Sequence, residues 1–175
     1  MKIRVATADD LPAMRDLMRR AIDELQQGFL SAAEVRASHA VMGLDTQLVA
    51  DATYFVALVD GALAGCGGWS RRATLYGGDH SSDLREPRLL DPRSEAARVR
   101  AMYTDPAFTR RGVGRAILEA SEAAARAAGF AAAELMATLA GEPLYRASGY
   151  VEIERTAASV DGVDVPLIRM RKPLV

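Results

Sequence analysis

The chain has 175 residues, half of them hydrophobic and 26% charged, with a formal net charge of −1. That size and balance suit one ordinary globular domain with a full core and exclude a disordered chain. Near-neutral charge gives no electrostatic case for nucleic acid or an anionic membrane as a partner.

Counting removes further chemistries. A phosphate-loop NTPase needs a lysine inside its glycine loop, and the only lysines, Lys2 and Lys172, sit at the two ends. The same placement argues against Schiff-base chemistry. Cys66, His39 and His80 are too few soft or imidazole ligands for a zinc site, so no metal is expected. One cysteine forms no internal disulfide, which fits a reducing compartment. The first ten residues alternate and carry charge instead of forming a signal peptide's apolar stretch. No run of about 18 apolar residues occurs, so a cytoplasmic, membrane-free protein is expected.

In chain order, Lys2 to Ala6 reads as a short strand, with Ile3 and Val5 on one face. Thr7, Asp9 and Asp10 are helix-start residues, and Pro12 is tolerated in a first turn. Met14, Leu17, Met18, Ala21, Ile22 and Leu25 then recur at helical spacing. Ser31 to Glu34 is a capping-box pattern that opens a second helix through about Met42, and Gln47 to Asp51 reads as another turn of helix. Tyr54 to Val59 and Ala62 to Ser70 read as strands joined by an Asp60-Gly61 hairpin turn. From 71 to 96 the chain is polar and holds Gly77, Gly78, Pro87 and Pro92. A connector of that length is usually functional or mobile.

Ala97 to Thr104 reads as a strand ended by Pro106. Gly112 to Ala128 is the clearest helix. Val113, Ile117, Ala120, Ala124 and Ala128 fall on one face, with Arg115, Glu119, Glu122 and Arg126 opposite as expected i,i+4 ion pairs. Phe130 to Thr138 is a further strand, Glu142 to Ala147 a short helix, and Tyr150 to Arg155 and Val163 to Met170 two final strands around an Asp161-Gly162 turn. The order is mixed α+β.

The stretch from Ala97 to Leu118 carries the chemistry. It runs strand, proline turn, basic glycine loop, helix. Gly112 and Gly114 permit tight turns and close ligand approach. The first amides of the following helix have no internal partners, and their partial positive charge suits a phosphate or diphosphate. Arg110, Arg111 and Arg115 add cationic side chains nearby. A dinucleotide fingerprint would need a third glycine where Ile117 stands. The alternative for a bare GxG is tight helix packing beside solvated arginines.

Thr109 to Gly114 resembles the acetyl-CoA-binding motif of the GCN5-related N-acetyltransferases, Q/R-x-x-G-x-G/A, with Thr in place of the first Gln or Arg. The segment from Leu144 to Tyr150 is similar to the family's late LYxxxGF stretch, with Tyr150 for Phe. The Val59 to Trp69 region looks like the family's third strand, which usually borders the acceptor site.

The resemblance implies an acyl-CoA N-acyltransferase fold over the whole chain, 1–175. It has a central, mostly antiparallel mixed sheet of six or seven strands flanked by about four helices. It also implies a single N-acetyltransferase domain that moves an acetyl group from acetyl-CoA to a small-molecule or peptide amine. Amides from Arg110 through Gly112, Val113 and Gly114 to Arg115 would hold the pyrophosphate. The backbone of Met102 and Thr104 would pair with the pantetheine arm, and Tyr145 would protonate the leaving thiolate. A homodimer through the final strands is an arrangement the family allows. A CoA-binding sensor of the same fold without turnover is the competing reading.

The proton acceptor is open at this level. Glu34, Asp79, His80 and Glu95 lie where they could face an acceptor amine, and each also has an ordinary reading as a cap, loop or solvated residue. Cys66 reads as a small strand residue rather than a nucleophile. Trp69, Arg71 and Arg72 could meet an acidic or aromatic acceptor group, or could be a packing Trp beside solvated arginines.

Overall fold

A computed structural model describes residues 1–175. Its strands are β1 (Lys2–Val5), β2 (Tyr54–Val59), β3 (Ala62–Ser70), β4 (Ala97–Thr104), β5 (Ala132–Thr138), β6 (Val151–Val160) and β7 (Val163–Pro173). Its helices are α1 (Leu11–Leu25), α2 (Ala32–Ser38), α3 (Thr46–Ala50), α4 (Val113–Ala127) and α5 (Glu142–Ala147). The helix opened by Ser31 stops at Ser38, short of the expected Met42, and the chain turns before Asp45 caps α3 through the Gln47 N–H.

All strands join one seven-stranded sheet in the order β1-β2-β3-β4-β5-β7-β6. Every neighbouring pair is antiparallel except β4 and β5. The two Asp-Gly turns act as anticipated. Asp60 and Gly61 have φ of 51° and 82°, and Asp161 and Gly162 have 49° and 81°. Paired positive φ values match the right-handed twist of the flanking strands. The second hairpin is longer than its turn signals indicate, since β6 runs on to Val160 and β7 to Pro173.

Alternation along β3 sorts the two core layers. Cys66 points to the side where α1 places Met14, Leu17, Met18 and Ile22 with Tyr54, Val56 and Tyr103. Gly65 and Gly67 face the other way, toward Val113 and Ile117 of α4. A Cβ at Gly65 would press on Val113 and Ile117, so the missing side chains let α4 lie close against the sheet. The expected ion pairs along α4 do not form. Glu122 is buried and pairs with Lys172 of β7 at 2.8 Å, while Arg126 donates to the Leu174 carbonyl at 2.6 Å. A buried carboxylate takes the partner that shares its desolvated surroundings over one exposed on the helix surface.

The entry to α1 is tied by Asp10. Its carboxylate accepts two hydrogen bonds from Arg4, both 2.8 Å, and one from the Thr7 N–H at 2.8 Å. Arg4 is the main reason its pKa falls to about 2. A depressed folded-state pKa stabilises above the unfolded value near 3.9 and is lost as pH falls toward 2. The rim position limits the effect, so Asp10→Asn is expected to cost about 1 kcal/mol at pH 7. Urea melts at pH 7 and pH 2.5 check this, and the difference between variant and parent should shrink at the lower pH.

Candidate active site

The sheet opens along its middle. The strands β4 and β5 pair only at Ala97 with Ala133 and Arg98 with Glu134. Beyond that they part, leaving Val99–Thr104 and Leu135–Thr138 as two inner strand edges facing a wedge. A bulge shapes the β4 side. Cys66 pairs with Tyr103 and Gly68 with Arg100, so Ala101 and Met102 together oppose Gly67. Ala101 takes φ of 51°, and its carbonyl accepts a 2.6 Å hydrogen bond from the buried Tyr54 hydroxyl. An extra residue in one strand bends it and breaks the ladder locally.

At the end of β4 the chain reaches α4. Asp105 caps the turn through the Ala107 N–H at 2.9 Å and pairs with Arg20 of α1. Arg110 and Gly112 both adopt positive φ, 63° and 79°. The first bond of the helix is Ala116 N–H to the Gly112 carbonyl at 3.0 Å. The amides of Val113, Gly114 and Arg115 therefore precede the ladder and remain available to an anion. Gly114 packs against Leu144 of α5, where a Cβ would sit 3.0 Å from its Cδ2, and stands beside Thr104. This single glycine brings the amide cluster, the end of β4 and α5 together. The side chains of Arg110, Arg111 and Arg115 are exposed, with Arg111 over the Phe108 ring at 5.3 Å.

The wedge contains a cavity of about 100 Å³. One wall is sheet: Val99, Ala101 and Met102 from β4, Leu135 and Met136 from β5, and Leu167 from β7. The opposite wall comes from Val41–Gly43 and from Leu75–Gly77 of the long loop. Tyr145 of α5 stands at the cavity, 8% exposed, with its ring edge against Tyr150 at 5.9 Å. Tyr103, the other buried tyrosine in the lining, accepts a hydrogen bond from the Gly43 N–H at 2.8 Å. The Tyr145 hydroxyl makes no such bond to the protein. Burial pushes its pKa above the usual tyrosine value, so it stays protonated.

The 71–96 loop is held in place by a buried arginine. The Arg100 guanidinium is bonded to Asp45 at 2.9 Å, the Gly77 carbonyl at 2.7 Å and the Thr74 carbonyl at 3.3 Å. Asp45 also pairs with Arg85 from farther along the loop at 2.9 Å. Ser81 donates to the Ala40 carbonyl, and Asp79 accepts from the Thr46 N–H. The loop thus forms a fixed wall against the α2–α3 turn.

The four candidate bases are all engaged elsewhere. Glu34 completes the cap of α2 with the Ser31 N–H at 2.8 Å. Asp79 caps Thr46, and the His80 Nε2 is 2.7 Å from the His39 carbonyl, behind the Gly43 wall. Glu95 is bonded to Arg88 and the Asp91 N–H, chiefly the former, which brings its pKa to about 2. None lines the cavity. Trp69 packs edge-on against Phe130 beneath Arg71, and Arg72 pairs with Asp51 at 2.7 Å, so these residues support the loop instead of contacting an acceptor. Cys66 is fully buried and its thiol is pushed up to about 12, which removes it as a nucleophile. The sequence reading overlooked Arg100, Val41–Gly43, Met136 and Leu167. The period-2 pattern of β4 places Arg98 and Arg100 on one polar face, and a polar face beside a long loop was the available signal.

Comparison with known proteins fits this geometry. Residues 50–152, more than half of the chain, match the acetyltransferase (GNAT) domain family model. The chain belongs to the GNAT family of acetyltransferases. Among solved structures, YncA of Salmonella typhimurium, described as a putative acetyltransferase with its cofactor acetyl-CoA, is 18% identical. It matches at a TM-score of 0.67 over 100% of this chain and 94% of its own. PaiA N-acetyltransferase of Thermoplasma acidophilum, in complex with coenzyme A, is 15% identical with a TM-score of 0.63 over 98% of both chains. A ribosomal-protein-alanine N-acetyltransferase of Brucella melitensis is 19% identical with a TM-score of 0.66 over 99% of both. No curated protein matches the sequence. No helix is long and apolar enough to cross a membrane.

Proposed function

We propose that this chain is an N-acetyltransferase that moves an acetyl group from acetyl-CoA to an amine by direct attack. The observation that carries the reading is the β4–β5 wedge, two unpaired strand edges that lead to the free amides at the start of α4. A pantetheine-like arm carries amide groups, and the strand edge at Met102 and Thr104 offers it backbone partners. The amides from Arg110 to Arg115 suit the paired negative charges of a diphosphate, with Gly112 supplying the turn and Gly114 the close approach.

Acetyl-CoA supplies the activated acyl carbon. In the exchange a C–N bond forms, the C–S bond breaks, the amine loses a proton and the sulfur gains one. Backbone N–H from the bulge near Met102 faces the oxygen on which negative charge develops. The Tyr145 hydroxyl, unbonded and protonated, donates to the departing sulfur, and the phenolate so formed takes up the proton that the nitrogen loses after its attack, which restores the phenol. A free thiol titrates near 8.5, well below a tyrosine. Burial raises both groups, the Cys66 thiol of this same sheet to about 12 and the Tyr145 phenol above its usual value, so the phenol stays the protonated partner while negative charge builds on sulfur.

Two measurements test the reading. Calorimetry should show acetyl-CoA binding that free CoA competes away and ATP or NAD does not. Thiol release against an amine panel should show turnover. Binding without turnover would assign the chain to the sensor reading instead. Gly114→Val is expected to weaken CoA binding about tenfold, because the added methyls collide with Leu144 and separate α4 from α5. An unchanged Kd in that variant would remove the α4 amides from the binding site.

A further inference from the structure

We infer that the acceptor is a weakly basic amine carried on an apolar group, such as a peptide α-amine or an aromatic amine, and that it enters already neutral. This rests on the acetyl-transfer reading above.

The cavity lining contains no Asp, Glu, His or Lys. Its charged side chain is Arg100, whose donors are taken by Asp45 and two loop carbonyls. Its other titratable groups are three phenols: Tyr76 from the loop, Tyr103 from β4 and Tyr145 from α5. The buried pair, Tyr103 and Tyr145, have their pKa values raised by burial and remain neutral. The rest of the acceptor wall is Val41, Met42, Leu75, Met136 and Leu167.

The surrounding face is cationic. Side chains two residues apart on a strand share a face. Arg98 shares the face of Arg100, Glu134 that of Met136, and Arg169 and Arg171 that of Leu167. Arg98, Arg169 and Arg171 all pair with the one carboxylate of Glu134, at 3.2, 2.6 and 2.8 Å. Arg85 and Arg100 share Asp45, each at 2.9 Å. Five guanidiniums therefore gather on Asp45 and Glu134, with Glu154 of β6 opposite Arg169 and Glu95 near Arg98 as the next carboxylates, and none of the four lines the cavity. Inside the cavity an ammonium finds no anion to pair with.

No group in the cavity is suited to deprotonate an ammonium before it attacks, so the neutral fraction must come from the acceptor's own pKa. At pH 7.5 an α-amine with a pKa near 7.8 is roughly one third neutral, and an alkylamine near 10.4 is about 0.1% neutral.

The test compares leucine amide with isopentylamine, which have similar apolar bodies and different basicity, and adds aniline and spermidine. Rates of thiol release are followed from pH 6.5 to 9.5. Leucine amide should exceed isopentylamine on the order of 100-fold at pH 7.5. The leucine amide profile in kcat/KM should bend near that amine's own pKa, the isopentylamine profile should climb through pH 9.5 without a bend, and spermidine should not react. Preference for aniline would identify the aromatic source, and preference for leucine amide the peptide source. An inflection common to both alkyl-bodied amines would reveal a protein base and overturn the inference, as would spermidine matching leucine amide. Calorimetry at pH 8.5 gives a readout free of turnover: leucine amide should bind the CoA complex and spermidine should not, and the reverse overturns the inference. A chain that binds leucine amide but not acetyl-CoA would leave this pocket standing and overturn the acetyl-transfer reading.

Discussion

Replacing Tyr145 by phenylalanine is expected to slow acetyl transfer about 100-fold, the lower range for loss of a general acid, with acetyl-CoA affinity unchanged. The substitution removes one oxygen that bonds to nothing in the protein. The edge-to-face packing on Tyr150, at 5.9 Å, stays intact, so the fold should not suffer. Pre-steady-state kinetics with leucine amide would separate kcat from KM. A fall confined to kcat supports donation to the sulfur, and a wild-type kcat would exclude Tyr145 from the chemistry. Because burial holds the phenol protonated, the variant should change the height of the pH profile and leave its inflection in place.

Arg100→Met is expected to lower the melting temperature by roughly 10 °C and to abolish acceptor selectivity while acetyl-CoA still binds. Removing one partner of a buried ion pair costs on the order of 3–5 kcal/mol, because the other charge is left desolvated. Here Asp45 keeps Arg85 but loses Arg100, and the carbonyls of Thr74 and Gly77 lose their donor. The wall formed by Leu75–Gly77 would then detach from the sheet. Limited proteolysis within 71–96 should accelerate in the variant. Arg100→Lys, which keeps the charge but not the fork of donors, should fall between the two. Equal proteolysis rates in all three proteins would show that the loop is held by its other contacts alone.

Much of the fold was legible because local signals agreed with one another. The β2–β3 turn, the strand before Pro106 and the long helix after Gly112 each combine apolar periodicity with a residue that stops or turns the chain. The start of α4 was legible for the same reason, since Gly112 carries a positive φ that glycine accommodates readily. Arg110 and Ala101 also take positive φ, and neither residue type announces it. The bulge at Ala101 comes from register with β3 and a hydrogen bond from Tyr54, 47 positions earlier in sequence. Likewise, Glu122 looked like a surface ion-pair partner because the helix pattern alone does not disclose that β7 brings Lys172 beneath it. The acceptor walls were illegible for a related reason. Val41–Gly43 lies past the end of α2, where the helical spacing runs on to about Met42, and Leu75–Gly77 carries no periodic signal; the first is held by the Tyr103 hydroxyl at the Gly43 N–H, and the second by the buried Arg100 guanidinium, which ties it to Asp45.

That tie divides the molecule into parts that can change independently. In the proposed reading the coenzyme lies against β4, α4 and α5, whereas the cavity's far wall belongs to two connectors, one held to β4 by Tyr103 at Gly43 and the other by Arg100. Residues 41–43 and 75–77 could be exchanged for those of another chain while the coenzyme seat stayed as it is. Under the proposed reading, a change of acceptor would then require only new wall segments around the Asp45–Arg100 tie, with the sheet left untouched.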